Sequence, residues 1–219
     1  MTISVLLVDD QPLIRTGFRL ILNAVADLQV VGEAEDGAAG VAQALALRPD
    51  VVLMDVRMPG IDGVEATRQI CASGVPSRVL ILTTFDIDEY AFAGLQAGAS
   101  GFVLKDIRPD ELVAAVRALA AGDAVVSPRI TRELLNRHAA GLLAPPASPA
   151  VDQLSELTPR EREVLLELAG GHTNAEIAGR LYLSEATVKT HITRILSKLQ
   201  LRDRVQAVIF AYERGLRQP

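Results

Sequence analysis

The sequence predicts an open parallel α/β sheet with helices on both faces, joined to a smaller all-helical unit. Three observations carry this expectation. Through residues 1–122, five short apolar runs alternate with five stretches of helical spacing. A segment with three prolines, Gly141-Leu-Leu-Ala-Pro-Pro-Ala-Ser-Pro-Ala150, then interrupts the pattern. Beyond it the periodic stretches are helical and open on helix-start signals.

The apolar runs are Val5–Val8, Leu28–Val31, Val51–Met54, Val79–Leu82 and Phe102–Leu104. Each has the length and branched-residue content of a strand buried on both faces. Between them, Leu13–Leu22, Ala38–Leu47, Val64–Cys71, Tyr90–Leu95 and Leu112–Leu119 have helical spacing. Parallel strands need crossover connections, so five strand–helix repeats predict a doubly covered parallel sheet. Asp62-Gly63-Val64-Glu65 has the spacing of an acidic N-cap with Glu at N3. Residues 123–153 read as a linker, with a short helix opening at Ser127-Pro128 and running to about His138.

Residues 154–219 read as four helices. Thr158-Pro159-Arg160-Glu161 and Thr173-Asn174-Ala175-Glu176 are capping boxes, Ser184 caps a third helix reaching Leu199, and a fourth covers roughly Arg204 to Tyr212. On the third helix Val188, Ile192, Ile195 and Leu199 form one apolar stripe. Its opposite face carries Ala186, Thr190, Thr193, Arg194 and Ser197, with Lys189 on the flank. Hydroxyls and cations on a bare face suit a helix in a DNA major groove, although on charge alone an ordinary solvated face is favoured about two to one.

Bulk properties narrow the function classes. No apolar run reaches the roughly 18 residues of a membrane-spanning helix, and MTISVLLVDD lacks the basic start of a signal peptide, so a cytoplasmic protein without a membrane partner is expected. The single Cys71 excludes an intrachain disulfide and a Cys-rich zinc site, and it reads as packing. His138, His172 and His191 are scattered and suggest no metal site. The net charge of −5 is unevenly spread: residues 1–125 carry 9 Lys/Arg against 17 Asp/Glu, whereas residues 154–219 carry 10 against 8. An acidic half joined to a mildly basic half suggests different partners for each.

The polar residues at the predicted strand ends are the candidate site. Asp9 and Asp10 end the first strand, Asp55 the third and Thr83 the fourth, and Lys105 follows the fifth. Ligands of open parallel sheets bind beyond the carboxyl ends of the strands. Convergent carboxylates suit a hard divalent cation, and one of them can act as nucleophile toward phosphorus. A hydroxyl and an ammonium would hold the remaining oxygens. Taken singly, an Asp at a strand end is as often a turn former or helix cap, and Asp10 before Gln11-Pro12 fits that reading too.

LLVDDQPLIRTGF, VVLMDVRMPGIDGVEATR, ILTTF and GASGFVLKD resemble, in order and spacing, the receiver domain of bacterial response regulators. The resemblance spans residues 1–121 and implies a flavodoxin-like, doubly wound (βα)5 fold. It implies Asp55 as phosphoacceptor, with Mg²⁺ or Mn²⁺ held by the Asp10 and Asp55 side chains, the Arg57 backbone carbonyl and Asp9 through water. Thr83 and Lys105 would contact the phosphoryl group, and Phe102 would be the aromatic switch. Two departures stand out. Asp106 follows Lys105 where many relatives have proline, and Arg57 and Phe85 flank the site with bulk that obstructs an attacking water, implying slow autodephosphorylation.

LTPREREVL, the stretch from Asn174 to Leu199 and LRDRVQAVIFA resemble the LuxR-type DNA-binding domain over about residues 154–217. By position this implies that Lys189, Thr190 and Thr193 face bases, with Thr187, Arg194 and Lys198 nearer phosphates. Position 193 is often Lys in that family. The fourth helix would pack on the core and dimerise, with Val205, Val208 and Ile209 as candidate dimerisation residues, while Glu161 and Glu163 read as surface and capping charges. Together the two halves resemble the NarL/FixJ subfamily, which implies a sensor histidine kinase and double-stranded DNA as partners and homodimers on phosphorylation or DNA binding. Enzyme classes fit poorly. A dinucleotide enzyme needs a glycine fingerprint where Asp9-Asp10-Gln11-Pro12 stands, and an aspartyl phosphatase needs a second Asp where Arg57 stands.

Overall fold

The computed structural model describes residues 2–83, 87–122 and 153–216. The chain divides into two compact units, residues 1–125 and 126–219. The expected linker lies outside the described residues apart from Gln153, and so do the Ser127–His138 helix and Phe85.

The first unit is β1 (Ile3–Val8), α1 (Pro12–Asn23), β2 (Leu28–Ala34), α2 (Gly37–Leu47), β3 (Val51–Asp55), α3 (Gly63–Ala72), β4 (Arg78–Thr83), α4 (Ile87–Gln96), β5 (Gly101–Leu104) and α5 (Pro109–Ala121). All strand pairs are parallel, in the order β2-β1-β3-β4-β5. Alternate strand residues face opposite layers. Val5, Leu7, Val51, Leu53, Leu80 and Leu82 pack with Phe18 and Leu22 of α1 and Leu112, Val116 and Leu119 of α5. Leu6, Val8, Val52, Met54, Val79 and Ile81 are also at most 1% exposed, on the side covered by α2, α3 and α4. Both faces being covered explains why the strands read as continuous apolar runs.

The helix starts follow local chemistry. Asp36 accepts from the Ala39 N–H, and Asp62 from the Glu65 N–H, each satisfying a donor left open at a helix start. Pro12 and Pro109 open α1 and α5, and Gly122 ends α5 at φ 91°, a conformation that favours glycine.

Among the described residues the second unit comprises a 3-10 turn, Gln153–Glu156, then α6 (Pro159–Ala169), α7 (Asn174–Leu181), α8 (Glu185–Lys198) and α9 (Arg204–Glu213). Both expected capping boxes are formed: Thr158 with Glu161, and Thr173 with Glu176. Asp203, unremarked in the sequence, caps α9 through the Val205 and Gln206 N–H groups. Tyr182 turns the chain between α7 and α8 at φ 56°.

The structure corrects the expected role of three residues on α9. Val205, Val208 and Ile209 are at most 5% exposed, on a helix packed against α6 and α8, so they belong to the chain's own interior and not to a dimer surface. An amphipathic pattern shows which residues leave water but not what they meet.

Candidate functional site

The strand order reverses its direction of growth between β1 and β3. The chain leaves these two strands for helices on opposite faces, which opens a crevice beyond their carboxyl ends. Asp9 and Asp10 follow β1 there, Asp55 is the last residue of β3, Thr83 ends β4 and Lys105 follows β5. The fold therefore brings together all five residues expected from the sequence.

Lys105 Nζ lies 2.8 Å from Asp9 Oδ2 and 2.9 Å from Asp55 Oδ2. These three side chains are almost completely buried. At rest the ammonium is thus shared between two carboxylates. The Lys105 N–H donates to the Thr83 carbonyl at 2.7 Å, which ties the ends of β4 and β5 together behind the site. Asp9 Oδ1 accepts from the Gln11 N–H at 2.8 Å, and Asp55 Oδ1 receives a long bond from the Arg57 N–H at 3.4 Å. Gln11, Asp55, Val56, Arg57, Thr83 and Lys105 line a cavity of about 190 Å³. Thr83 is buried, and so is Phe102 within β5. All peptide bonds among the described residues are trans, and after Asp106 the Ile107 N–H closes a turn onto the Leu104 carbonyl at 3.1 Å.

Burial pushes the Asp55 carboxyl above its ordinary value, with Asp9 adding to the rise and the Lys105 ammonium offsetting part of it. Burial alone would lower the Lys105 ammonium, but its bonds to Asp9 and Asp55 together outweigh this and hold it above the usual range.

The donor set suits a hard cation. Asp9, Asp10 and Asp55 each present an oxygen within 4.8 Å of the others. Asp10 Oδ1 is buried with no hydrogen-bond partner, and a carboxylate oxygen without a donor is what Mg²⁺ or Mn²⁺ would satisfy.

Gly63 is a site residue that sequence reasoning missed, since only its place at a helix start is visible there. A Cβ at this position would lie 1.9 Å from the Asp55 carbonyl oxygen, while the Gly63 N–H donates to the Val56 carbonyl at 3.0 Å. Only a residue without a side chain lets α3 begin against the backbone that carries Asp55. Gly63→Ala should destabilise the first unit by about 1–3 kcal/mol, as overpacking does, and slow any chemistry at Asp55. Urea unfolding followed by hydrogen exchange over residues 51–70 measures this, and wild-type protection there would contradict it.

In the second unit, α8 presents the predicted face. Val188, Ile192, Ile195 and Leu199 are buried, whereas Lys189, Thr190, Thr193 and Arg194 are exposed and Thr187 is half-buried. Thr190 Oγ1 donates to the Ala186 carbonyl at 2.9 Å and Thr193 Oγ1 to the Lys189 carbonyl at 3.1 Å. Each hydroxyl oxygen keeps lone pairs for an external donor. Lys198 departs from expectation. Its Nζ is bound to Glu161 Oε2 at 2.7 Å and to the Glu156 carbonyl at 3.0 Å, so it braces α8 against α6 instead of standing ready for a phosphate. Glu161 is only 3% exposed and is a buried capping residue, not a surface charge, while Glu163 pairs with Arg160 at the surface. Cys71 Sγ is half-buried and donates to the Gly98 carbonyl at 3.4 Å.

Residues 5–117 match the response regulator receiver domain, and residues 155–211 match the bacterial regulatory proteins of the luxR family. The chain is a response regulator of the NarL/FixJ subfamily. Among curated relatives, this response regulator is 44% identical to the uncharacterized transcriptional regulatory protein YxjL of Bacillus subtilis strain 168, over 98% of this chain and 97% of that one. It is 40% identical to the transcriptional regulatory protein LiaR of the same strain, over 98% and 99%. Among solved structures it is similar to the response regulator ChrA of a heme-sensing two-component system, at 37% identity, TM-score 0.53 and 99% coverage of both chains. A response regulator of this family is a phosphorylation-controlled, DNA-binding transcription regulator and not a classical enzyme, with a sensor kinase and DNA as partners. Among the described residues no helix is long and apolar enough to cross a membrane.

Proposed function

We propose that phosphorylation of Asp55 controls promoter binding by α8, through a shift in dimerisation, in domain contacts, or in both. The observation that carries this reading is the buried Asp55–Lys105–Asp9 arrangement at the switch point of the sheet. A buried carboxylate facing a polar cavity, with a cation and a hydroxyl at hand, is suited to accept a phosphoryl group.

An Asp55 oxygen forms the new O–P bond as the P–N bond of the kinase phosphohistidine breaks, its electron pair leaving with the imidazole. Asp10, Asp55, the Arg57 carbonyl and, through water, Asp9 would hold a divalent ion, which when bound would neutralise charge on the phosphoryl oxygens. Lys105 trades its bond to Asp55 for one to a phosphoryl oxygen and keeps Asp9. The Thr83 hydroxyl donates to a second oxygen and moves inward, and Phe102 follows into the space released. The face from α4 to α5 then repacks.

On DNA, Lys189, Thr190 and Thr193 would face base edges, with Arg194 and Thr187 near phosphates and Lys198 acting through the position of α8. Dimers would bind half-sites about one helical turn apart or a multiple of it. A kinase-fed regulator of promoters works in the cytoplasm. Incubation with acetyl phosphate and Mg²⁺ should yield one base-labile, hydroxylamine-sensitive phosphoryl group on Asp55, and EDTA should prevent it. A phosphoryl group elsewhere, or labelling indifferent to EDTA, would contradict the reading.

A further inference from the structure

Arg15 is a charged side chain beside the site that the chemistry above does not use. It stands on α1, and only 15% of its side chain is exposed. Its Nη1 donates to the Asp9 carbonyl at 2.6 Å. Its Nε lies 3.6 Å from Glu33 Oε2 on β2, an ion pair too long for a hydrogen bond. Arg19 Nε, one turn further along α1, lies 3.1 Å from the other Glu33 oxygen. The bond from Arg15 to the carbonyl is thus short, charge-assisted and largely shielded from water.

The carbonyl it holds belongs to the peptide between Asp9 and Asp10. A peptide unit is planar, so fixing its oxygen fixes the plane from which the Asp10 side chain departs. Asp9 is pinned by other groups as well: its N–H donates to the Ala34 carbonyl at 3.1 Å, Oδ1 accepts from the Gln11 N–H, and Oδ2 meets Lys105. Asp10 Oδ1, by contrast, is buried with no hydrogen-bond partner, so its aim depends on the backbone behind it. Mg²⁺ and similar hard ions tolerate little displacement of their oxygen ligands, and groups that orient those ligands set affinity.

We propose that Arg15 is a positioning residue for the divalent ion: by holding the Asp9 carbonyl it aims the Asp10 carboxylate. The inference rests on the reading that Asp10 and Asp55 hold that ion. Two effects of Arg15 oppose each other. As a positive charge near three carboxylates it repels a cation, so its removal would tighten binding. As a brace it keeps a ligand in place, so its removal weakens binding. A merely structural tie between α1 and β1 would change stability and leave the folded chain's ion affinity alone.

The test uses the full, unphosphorylated chain and Mn²⁺ alone, with the free ion read by electron paramagnetic resonance. Arg15→Met, which cannot donate, should weaken Mn²⁺ binding roughly 10-fold, and Arg15→Lys, which keeps a donor, by about 2–4-fold. Arg19→Gln removes the same charge from α1 without touching the carbonyl, and should leave affinity unchanged or up to about 2-fold tighter. Acetyl phosphate gives a second readout: an Asp55 oxygen forms an O–P bond as the donor's P–O bond breaks, and the electron pair leaves with acetate. Arg15→Met should need roughly 10-fold more Mn²⁺ for half-maximal formation rate, yet come within about 2-fold of the wild-type rate at saturation. Unchanged or tighter Mn²⁺ binding by folded Arg15→Met, or an equal weakening in Arg19→Gln, would overturn the proposal alone. If Arg15→Met does not fold, wild-type affinity in Arg15→Lys would do the same. A wild type that binds no Mn²⁺, or binds it as tightly after Asp10→Asn, would overturn the ion-site reading with it.

Discussion

Asp55→Asn is expected to abolish phosphorylation completely and, in chelator at neutral pH, to leave the first unit at least as stable as the wild type. The first effect follows from losing the carboxylate that, among the described residues, lines the cavity with Lys105 and Thr83 beside it. The second follows from the cost of the site itself. Three carboxylates converge around one ammonium, and burial works against the charged form of Asp55. An amide removes one buried charge while Lys105 keeps its bond to Asp9. Lys105→Met should behave in the opposite way, because it strands two buried carboxylates without their cation. Thermal unfolding of both variants in EDTA, followed through hydrogen exchange of β1, β3 and β5, separates the cases. A destabilised Asp55→Asn would mean that the carboxylate is a structural anchor and not a strained functional group.

Lys198→Met is expected to cost the helical unit about 2–3 kcal/mol at neutral pH, somewhat below the figure for a fully buried pair because the lysine side chain is 35% exposed. Burial alone would raise the Glu161 carboxyl, but its bonds to Lys198 and Thr158 outweigh burial and hold it below the ordinary range. A carboxyl depressed in the folded state contributes stability that is present above its unfolded value of 4.5 and is lost as pH falls through its folded value. The wild-type helical unit should therefore weaken on acidification through that window. Without Lys198 only the Thr158 bonds oppose burial, so the variant should start lower at neutral pH and lose less as pH falls. Hydrogen exchange over residues 159–212 of the full chain, from pH 7 down to about pH 3, reads both effects. Arg194→Ala, at an exposed position, should leave exchange unchanged and weaken DNA binding with a shallower salt dependence. If Lys198→Met kept wild-type protection and lost only DNA affinity, Lys198 would be a phosphate contact after all.

How much was legible beforehand differs between the two units. The five strands announced themselves because residues such as Leu53 and Leu80 are buried on one face and Val52 and Ile81 on the other, leaving no polar alternation to confuse them with half-exposed strands. Helix starts were legible because a cap and its partner are three residues apart, as Thr158 and Glu161 are. Asp9, Asp10, Asp55, Thr83 and Lys105 could be gathered onto one rim because a parallel sheet puts every strand end on the same side. Pairings across long separations were not legible. Glu161 reads as a surface charge until α8 brings Lys198 to it from 37 residues away, and Val205, Val208 and Ile209 read as apolar without saying whether they meet α6 or another molecule. Lys105 was expected to await a phosphoryl group, whereas the resting chain already occupies it with Asp9 and Asp55. Arg57 over Tyr90 joins two elements that no local pattern links.

Whether the state of Asp55 decides where and how well this chain binds DNA is tested most directly by selecting fragmented genomic DNA of the source organism with purified wild type and Asp55→Ala, each with and without acetyl phosphate. Control through Asp55 predicts that the donor increases occupancy of a discrete set of fragments for the wild type and changes nothing for Asp55→Ala. Equal occupancy for the two proteins with donor present would contradict it.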